Sequence, residues 1–427
     1  MRKLLIVSVA GFAVTLAVLG LALTGDDDAA RSSGRVGGVA ASTQTRIAAL
    51  QRAVDRNPED VQARVLLASA LLGSVREGGD PGAYNRADEA LEEALEQDPS
   101  NAAAYTERAI LRLGRHDFRG GLIDGRRARE LAPGLVRPLG VLVDAYVELG
   151  RYQEAERTLQ KMVDLKPNLD SYARVSYFRE LRGDLDGASV ALALAASAGG
   201  EGPENVAFVQ SLLGNIELAQ GRSPQALRAF RSALVKVPKY APAEAGLARV
   251  DIAAGRLEGA ITRLRAVVED QPKQEYVVLL GETQMAEGRI DEGRRTLAKV
   301  RVERKLLQAA GENTDTEAAL FEADHGDRRL AVRLGRAAWA SAPSVRSADA
   351  LGWALTRAGQ ARQGARYAQN ALRLGSREAS FLFHAGMNAK ALGSRSEAQR
   401  LLRAALDANP GFSPLHARAA RDALDQL

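Results

Sequence analysis

The sequence predicts an all-α solenoid of about ten helix-turn-helix units, preceded by one apolar N-terminal helix. Three observations lead there. A short phrase built on Gly and a small residue recurs ten times, at spacings of 33, 34 or 38 residues. Aromatics are only 5% and the apolar content leans on Ala and Leu, a mix that favours helices over sheets. Residues 4–23 carry no charge. The chain has 427 residues, more than one compact core holds, so its apolar surface must be divided among repeated cores.

The N-terminal segment comes first. Arg2 and Lys3 precede the uncharged stretch Leu4 to Leu23. Twenty residues rising 1.5 Å each span about 30 Å, the thickness of a bilayer's hydrocarbon core. A cleavable signal usually has a shorter apolar region closed by a small-x-small site, and Thr24 is a poor residue before a cleavage point. We read residues 1–23 as a membrane anchor or uncleaved signal. A cleaved signal is the alternative, and it would leave a soluble exported protein. Arg2 and Lys3 place the N-terminus inside and the bulk of the chain on the extracytoplasmic side, although Arg31 and Arg35 weaken that bias. Residues 24–44 are rich in Gly, Ser, Asp and Ala, show no apolar period, and read as a flexible linker.

From residue 45 to 427 the chain is one repeated unit. Aligned on the small residue of a G-R/D-x-x-x-A phrase, the matches are Ala87, Gly121, Ala155, Ala188, Ala226, Ala260, Gly293, Ala331, Gly364 and Ala398. Five residues earlier stands a Gly, from Gly82 to Gly393, with His116 the exception. Twelve residues later a Pro closes seven of the units, among them Pro99, Pro167, Pro238 and Pro410. The Gly ends a first helix and admits a tight turn. The small residue lets two antiparallel helices approach. Aliphatic and aromatic residues such as Leu159, Phe230, Leu264 and Leu402 fill the seam between units. The Pro stops the second helix. One unit cannot bury its apolar face alone, so neighbours must stack.

This pattern resembles the tetratricopeptide repeat family. The segments Val141 to Asn168 and Leu212 to Ala241 are close to its consensus, and the resemblance covers residues 45–427. It implies a right-handed superhelix. A half-unit, Thr45 to Pro58, precedes the ten units, and a final helix within Ser413 to Leu427 closes them. Unit one carries a long loop, Gly73 to Tyr84. The two 38-residue spacings place extra residues at 195–205, a Gly-rich hinge candidate, and at 301–315, a lengthened helix and turn. These breaks could mark subdivisions 45–206, 207–311 and 312–427; the simpler reading is tolerated loop insertions.

Several chemistries are excluded. Without Cys there is no disulfide, thiolate metal site or Cys nucleophile. No phosphate loop, HExxH or GxSxG elbow occurs, and no motif implies a cofactor. Lys+Arg number 58 against Asp+Glu 53, a net charge of +5 with no long basic run, so nucleic acid is not an expected partner. Glu317, Asp324, His325 and His384 could in principle form a carboxylate–histidine metal site. The simpler reading of Asp324-His325-Gly326-Asp327 is a helix end and turn.

In the repeat family the first helix of each unit lines the concave face. Carried onto this sequence, that implies groove candidates Asp144, Asn215, Arg249, Glu282, Asp324, Arg346, Trp353, Phe383 and Met387. The set mixes charge, an amide and large apolar groups, which suits a peptide or helix. The alternative is that Trp353 and Phe383 pack internally and the charges pair across neighbouring units. The reading of function is a non-enzymatic, membrane-tethered scaffold for a protein partner. A regulatory or assembly subunit of a membrane transporter or envelope enzyme is the alternative.

Overall fold

The computed structural model describes residues 43–76, 81–199 and 202–427, and all regular structure among them is helical. The expected anchor, and the linker up to residue 42, lie outside the described residues. Thr43 and Gln44, assigned above to the linker, already belong to the first helix. Among the described residues no helix is long and apolar enough to cross a membrane.

A single helix, α1 (Thr43–Arg56), is followed by helix pairs. These are α2 (Val61–Arg76) with α3 (Ala83–Gln97), α4 (Ala102–Gly114) with α5 (Phe118–Leu131), and α6 (Arg137–Glu148) with α7 (Tyr152–Leu165). Next come α8 (Leu169–Leu181) with α9 (Leu185–Ala198), α10 (Pro203–Ala219) with α11 (Ser223–Lys236), and α12 (Ala241–Ala253) with α13 (Leu257–Asp270). In the seventh pair α14 (Gln274–Ala286) faces α15 (Ile290–Ala298), which breaks at Lys299 and runs on as α16 (Val300–Ala309). The array ends with α17 (Asp315–His325) and α18 (Arg328–Ser341), α19 (Val345–Arg357) and α20 (Ala361–Ala371), and α21 (Ala379–Ala391) and α22 (Arg395–Ala408). Helix α23 (His416–Asp425) covers the last pair.

The aligned small residues sit where paired helices cross. Ala87, Ala155, Ala188, Ala226, Ala260, Ala331 and Ala398 are wholly buried. The turn glycines mostly adopt the left-handed conformation, as at Gly150 (φ 68°) and Gly183 (φ 74°). Gly82 and Gly326 do not, with φ of −59° and −144°. His116, standing in the glycine's place, takes φ 59° itself. A non-glycine residue there costs on the order of 1 kcal/mol, and the tertiary structure shows what holds it.

The array coils until its later units rest on its earlier ones. The turn of unit two meets the loop entering unit eight: Asn313 N–H donates to Arg115 O at 2.9 Å, and His116 Nδ1 lies 2.6 Å from Asn313 O. The turn of unit three meets the loop entering unit nine, where Val345 N–H donates to Tyr152 Oη at 2.9 Å. One unit further, Arg346 Nε donates to Tyr177 Oη at 2.9 Å. At the turn of unit four, Gly183 lies against Gly375 O of the loop entering unit ten. The turn-to-loop contacts are offset by six units, and Arg346 on Tyr177 by five. One apolar cluster running from Ile47 to Ile216 also takes in Val345, Ala348, Ala371 and Phe381. The segment 312–427 thus packs on 45–206 along a seam.

The seam makes a stability prediction. A Cβ on Gly150 would stand 2.3 Å from Pro343 O, and one on Gly183 2.4 Å from Gly375 O, whereas at Gly221 (φ 69°) nothing lies within 4 Å. Gly221→Ala should cost only the left-handed strain, about 1 kcal/mol. Gly150→Ala and Gly183→Ala should cost more and also loosen the seam. Thermal unfolding and small-angle scattering check this: the latter two variants should melt lower and expand. Equal melting losses with unchanged size in all three would contradict the six-unit contact.

Candidate functional site

The first helices of successive pairs are joined by polar pairs. Arg137 on α6 pairs with Glu107 on α4 at 2.6 Å. Asp144 on α6 accepts two bonds from Arg174 on α8, at 2.9 and 2.7 Å, with both side chains buried. Burial pushes the Asp144 carboxyl up and the guanidinium pulls it back. Glu282 on α14 faces His325 Nε2 on α17 at 3.0 Å. Asp324 on α17 accepts from Trp353 Nε1 on α19 at 2.9 Å and lies 3.7 Å from Arg357. Asp349 on α19 faces His384 Nδ1 on α21 at 2.9 Å. Bonds to charged groups are strong in such dry surroundings, and breaking one leaves a costly buried charge.

The expected groove residues therefore divide. Asp144, Glu282, Asp324, Trp353 and Phe383 are all less than 5% exposed and lie between helices. The charges do pair across neighbouring units, but with Arg174, His325 and Arg357 rather than with one another. Arg346 stands in the seam on Tyr177. Met387 is half-buried against the C-terminal core. Asn215 and Arg249 remain at the surface of a cleft.

That cleft follows the seam. It lies between the ends of α8, α10 and α12 on one side and the loops 376–380 and 409–414 on the other, with an open-mouthed volume of about 880 Å³. Asn215 and Arg249, on neighbouring first helices, line it with Phe412. Asn215 Oδ1 is buried there and has no hydrogen-bond partner. The nearest carboxylate to Arg249 is that of Glu275, at 3.9 Å. Burial and the facing Glu378 push the Glu180 carboxyl up to about 8, against the pull of Arg346. Burial raises the Glu378 carboxyl as well, so the cations Arg249 and Arg377 face two carboxyls that are both held toward the neutral form. Neither Glu180 nor the loop residues stood out in the sequence, because six units separate the two walls.

A second cluster is wholly interior. Trp353 stacks on His384 with centroids 4.4 Å apart, and Phe383 stacks on His416 at 4.2 Å. Neither ring nitrogen of His416 has a hydrogen-bond partner. His325 and His384, considered above as joint metal ligands, are held by different carboxylates. Among the described residues no group of three His, Asp or Glu side chains is placed to hold a metal.

Acid should act on this cluster. Burial lowers the His325 pKa to about 4 and lowers that of His416 well below the ordinary value, with His384 and Arg357 adding to the latter. A folded histidine with a depressed pKa binds fewer protons than the unfolded one, so its stability is lost as pH falls through about 6.5 toward 4. Burial raises Asp324 to about 6, which opposes this in part. Burial also raises Asp144 to about 7 and Glu180 and Glu303 to about 8, and these carboxyls gain stability as pH falls, so the histidine effect is read as a difference between two proteins. Between pH 7 and 5 wild type should lose stability relative to His416→Phe, which should also be more stable at pH 7 by about 1–3 kcal/mol, since it removes two unsatisfied buried nitrogens. Melting curves of both proteins at the two pH values check it.

The fold and cleft can now be set beside known proteins. Tetratricopeptide repeat profiles match residues 136–169 and 217–278. No curated protein matches the chain. A thermophilic tetratricopeptide-repeat protein of Thermus thermophilus is similar at 23% identity over 44% of this chain and 98% of its own, with a TM-score of 0.40. The human IFIT1 dimer with m7Gppp-AAAA is similar at 19% identity over 78% of this chain and 77% of its own, with a TM-score of 0.48. YrrB, a tetratricopeptide-repeat protein with an unusual peptide-binding site, matches at 22% identity over 46% of this chain and 95% of its own, with a TM-score of 0.28. The helix pairs α6–α7 and α12–α13 thus lie within tetratricopeptide repeats, carried in an all-helical array of ten pairs.

Proposed function

We propose that the chain is a non-enzymatic scaffold that holds a segment of a protein partner in the seam cleft, tethered to a membrane through residues 4–23. One observation supports this above the rest. Of the nine groove candidates, Asn215 and Arg249 stand together in an open cleft, one with an orphaned amide oxygen and the other with only a distant carboxylate. An extended segment that hydrogen-bonds the Asn215 side-chain amide and places a carboxylate on Arg249 fits them. A charged-group bond of this kind contributes about 1.5–3 kcal/mol. The uncharged stretch Leu4 to Leu23 supports the tether, and the bias of Arg2 and Lys3 supports an extracytoplasmic array.

The test is capture from detergent-solubilised membranes after brief crosslinking. Wild type and an Asn215→Ala/Arg249→Glu variant are compared, with circular dichroism as the folding control. A partner retained by wild type and lost by the folded variant is expected. Its purified segment should then bind the variant at least tenfold more weakly, with the wild-type affinity falling as salt rises. An identical set of partners with both proteins would overturn the cleft as the site. Full-length protein that washes off membranes in carbonate would overturn the tether.

A further inference from the structure

We propose that α15 and α16 dock flat on an anionic lipid surface. Two helices of the described array expose large aliphatic side chains one turn apart. On α9 they are Val190 and Leu194, with exposures of 57% and 47%. On α16 they are Val302 and Leu306, with exposures of 62% and 61%. Charge separates the two. The α9 pair is flanked by Ala193, Ser197 and Ala198, all neutral. The α16 pair shares its exposed face with Arg295, Lys299 and Lys305, which hold no ion pair, and with Ala298 and Ala309.

The fold sorts the charges of this segment. The one acid of α16, Glu303, is turned inward, where it accepts the Gln274 N–H at 2.8 Å. Arg301 and Arg304 direct their charge at Glu322 on α17, at 2.9 and 3.9 Å. What remains outside is a strip of aliphatic side chains with cations on either side; the exposed acid of α15, Asp291, stands at its far end, paired with Arg294 at 3.3 Å. A helix of that make-up lies in the plane of a bilayer interface, apolar side down, with Lys and Arg heads reaching the lipid phosphates. A lipid surface fits better than a protein groove because unpaired cations edge the aliphatic strip, where lipid phosphates would meet them. The segment also holds the extra residues of one 38-residue spacing, since α15 and α16 together run from 290 to 309 where the second helix of unit six has 14 residues.

The proposal rests on the tether above. Three cations and two aliphatic side chains bind weakly alone, and a covalent anchor supplies the local concentration they need. Residues 24–42 could span at most about 65 Å, which leaves the array free to turn this face to the bilayer.

The chain has no Cys, so single probes can be placed. An environment-sensitive fluorophore is attached to Ala309→Cys in the full chain, and to Ala193→Cys on α9 as control. Each is mixed with vesicles of phosphatidylcholine alone and with about 30% phosphatidylglycerol, a charge density that attracts basic segments. The Ala309→Cys probe should shift to the blue and be quenched by lipid-borne quencher only on the anionic vesicles, and the control on neither. Arg295→Glu/Lys299→Glu/Lys305→Glu should abolish the shift and, at about 1 kcal/mol per charge, weaken the anionic component of binding on the order of 100-fold. A shift equal on both vesicles, absent from both, or kept by the charge-reversed variant overturns the proposal. Sedimentation with neutral vesicles reports the tether separately, so its failure and that of the α16 contact are read apart.

Discussion

Everything in this array depends on how closely two helices approach at one small residue. Where Ala155 or Ala260 crosses the partner helix, no side chain beyond a methyl group fits, and the residue is wholly buried. The same closeness appears at Gly293, the small residue of unit seven, where a Cβ would stand 2.5 Å from Gly281 O of the paired helix. Fixing that distance in every pair fixes the angle between pairs. A constant angle repeated along the chain makes it coil.

Coiling brings distant units into contact at an offset of five to six. The turn glycines then serve twice. They permit the left-handed turn within a pair, and at Gly150 and Gly183 they leave room for a carbonyl of the later loop. His116 keeps the turn conformation without being glycine. Its ring meets Asn313 O across the seam, so local strain is held by a tertiary contact.

The interior of the coil is polar but closed. Asp144 with Arg174, and Asp349 with His384, tie neighbouring first helices through pairs that water does not reach. Such pairs fix register more than they add stability, because desolvation offsets most of their attraction. Two surfaces of the described residues are open to other molecules, the seam cleft and the exposed strip of α16. One is a cleft lined by polar groups, the other a basic and aliphatic helix face. A tethered array could hold a segment of protein in the first while the second fixes its attitude to the bilayer.

The sequence by itself determined the helix pairs, their number and the helices that flank them. Those features follow from short-range physics: Gly at turns, Pro at ends, and a small residue at a fixed offset from each. It also contained the partners of the interior ladder, since Asp144 and Arg174, or Asp324 and Trp353, are separated by about one repeat. Only the tertiary structure decided which candidate residues face solvent. Glu282 and Trp353 occupy the same unit position as Asn215 and Arg249, yet the former are buried and the latter border a cleft. The difference arises from the second turn of the coil and the C-terminal helices that cover the last units. Those contacts join residues about 200 positions apart, and no local pattern records them.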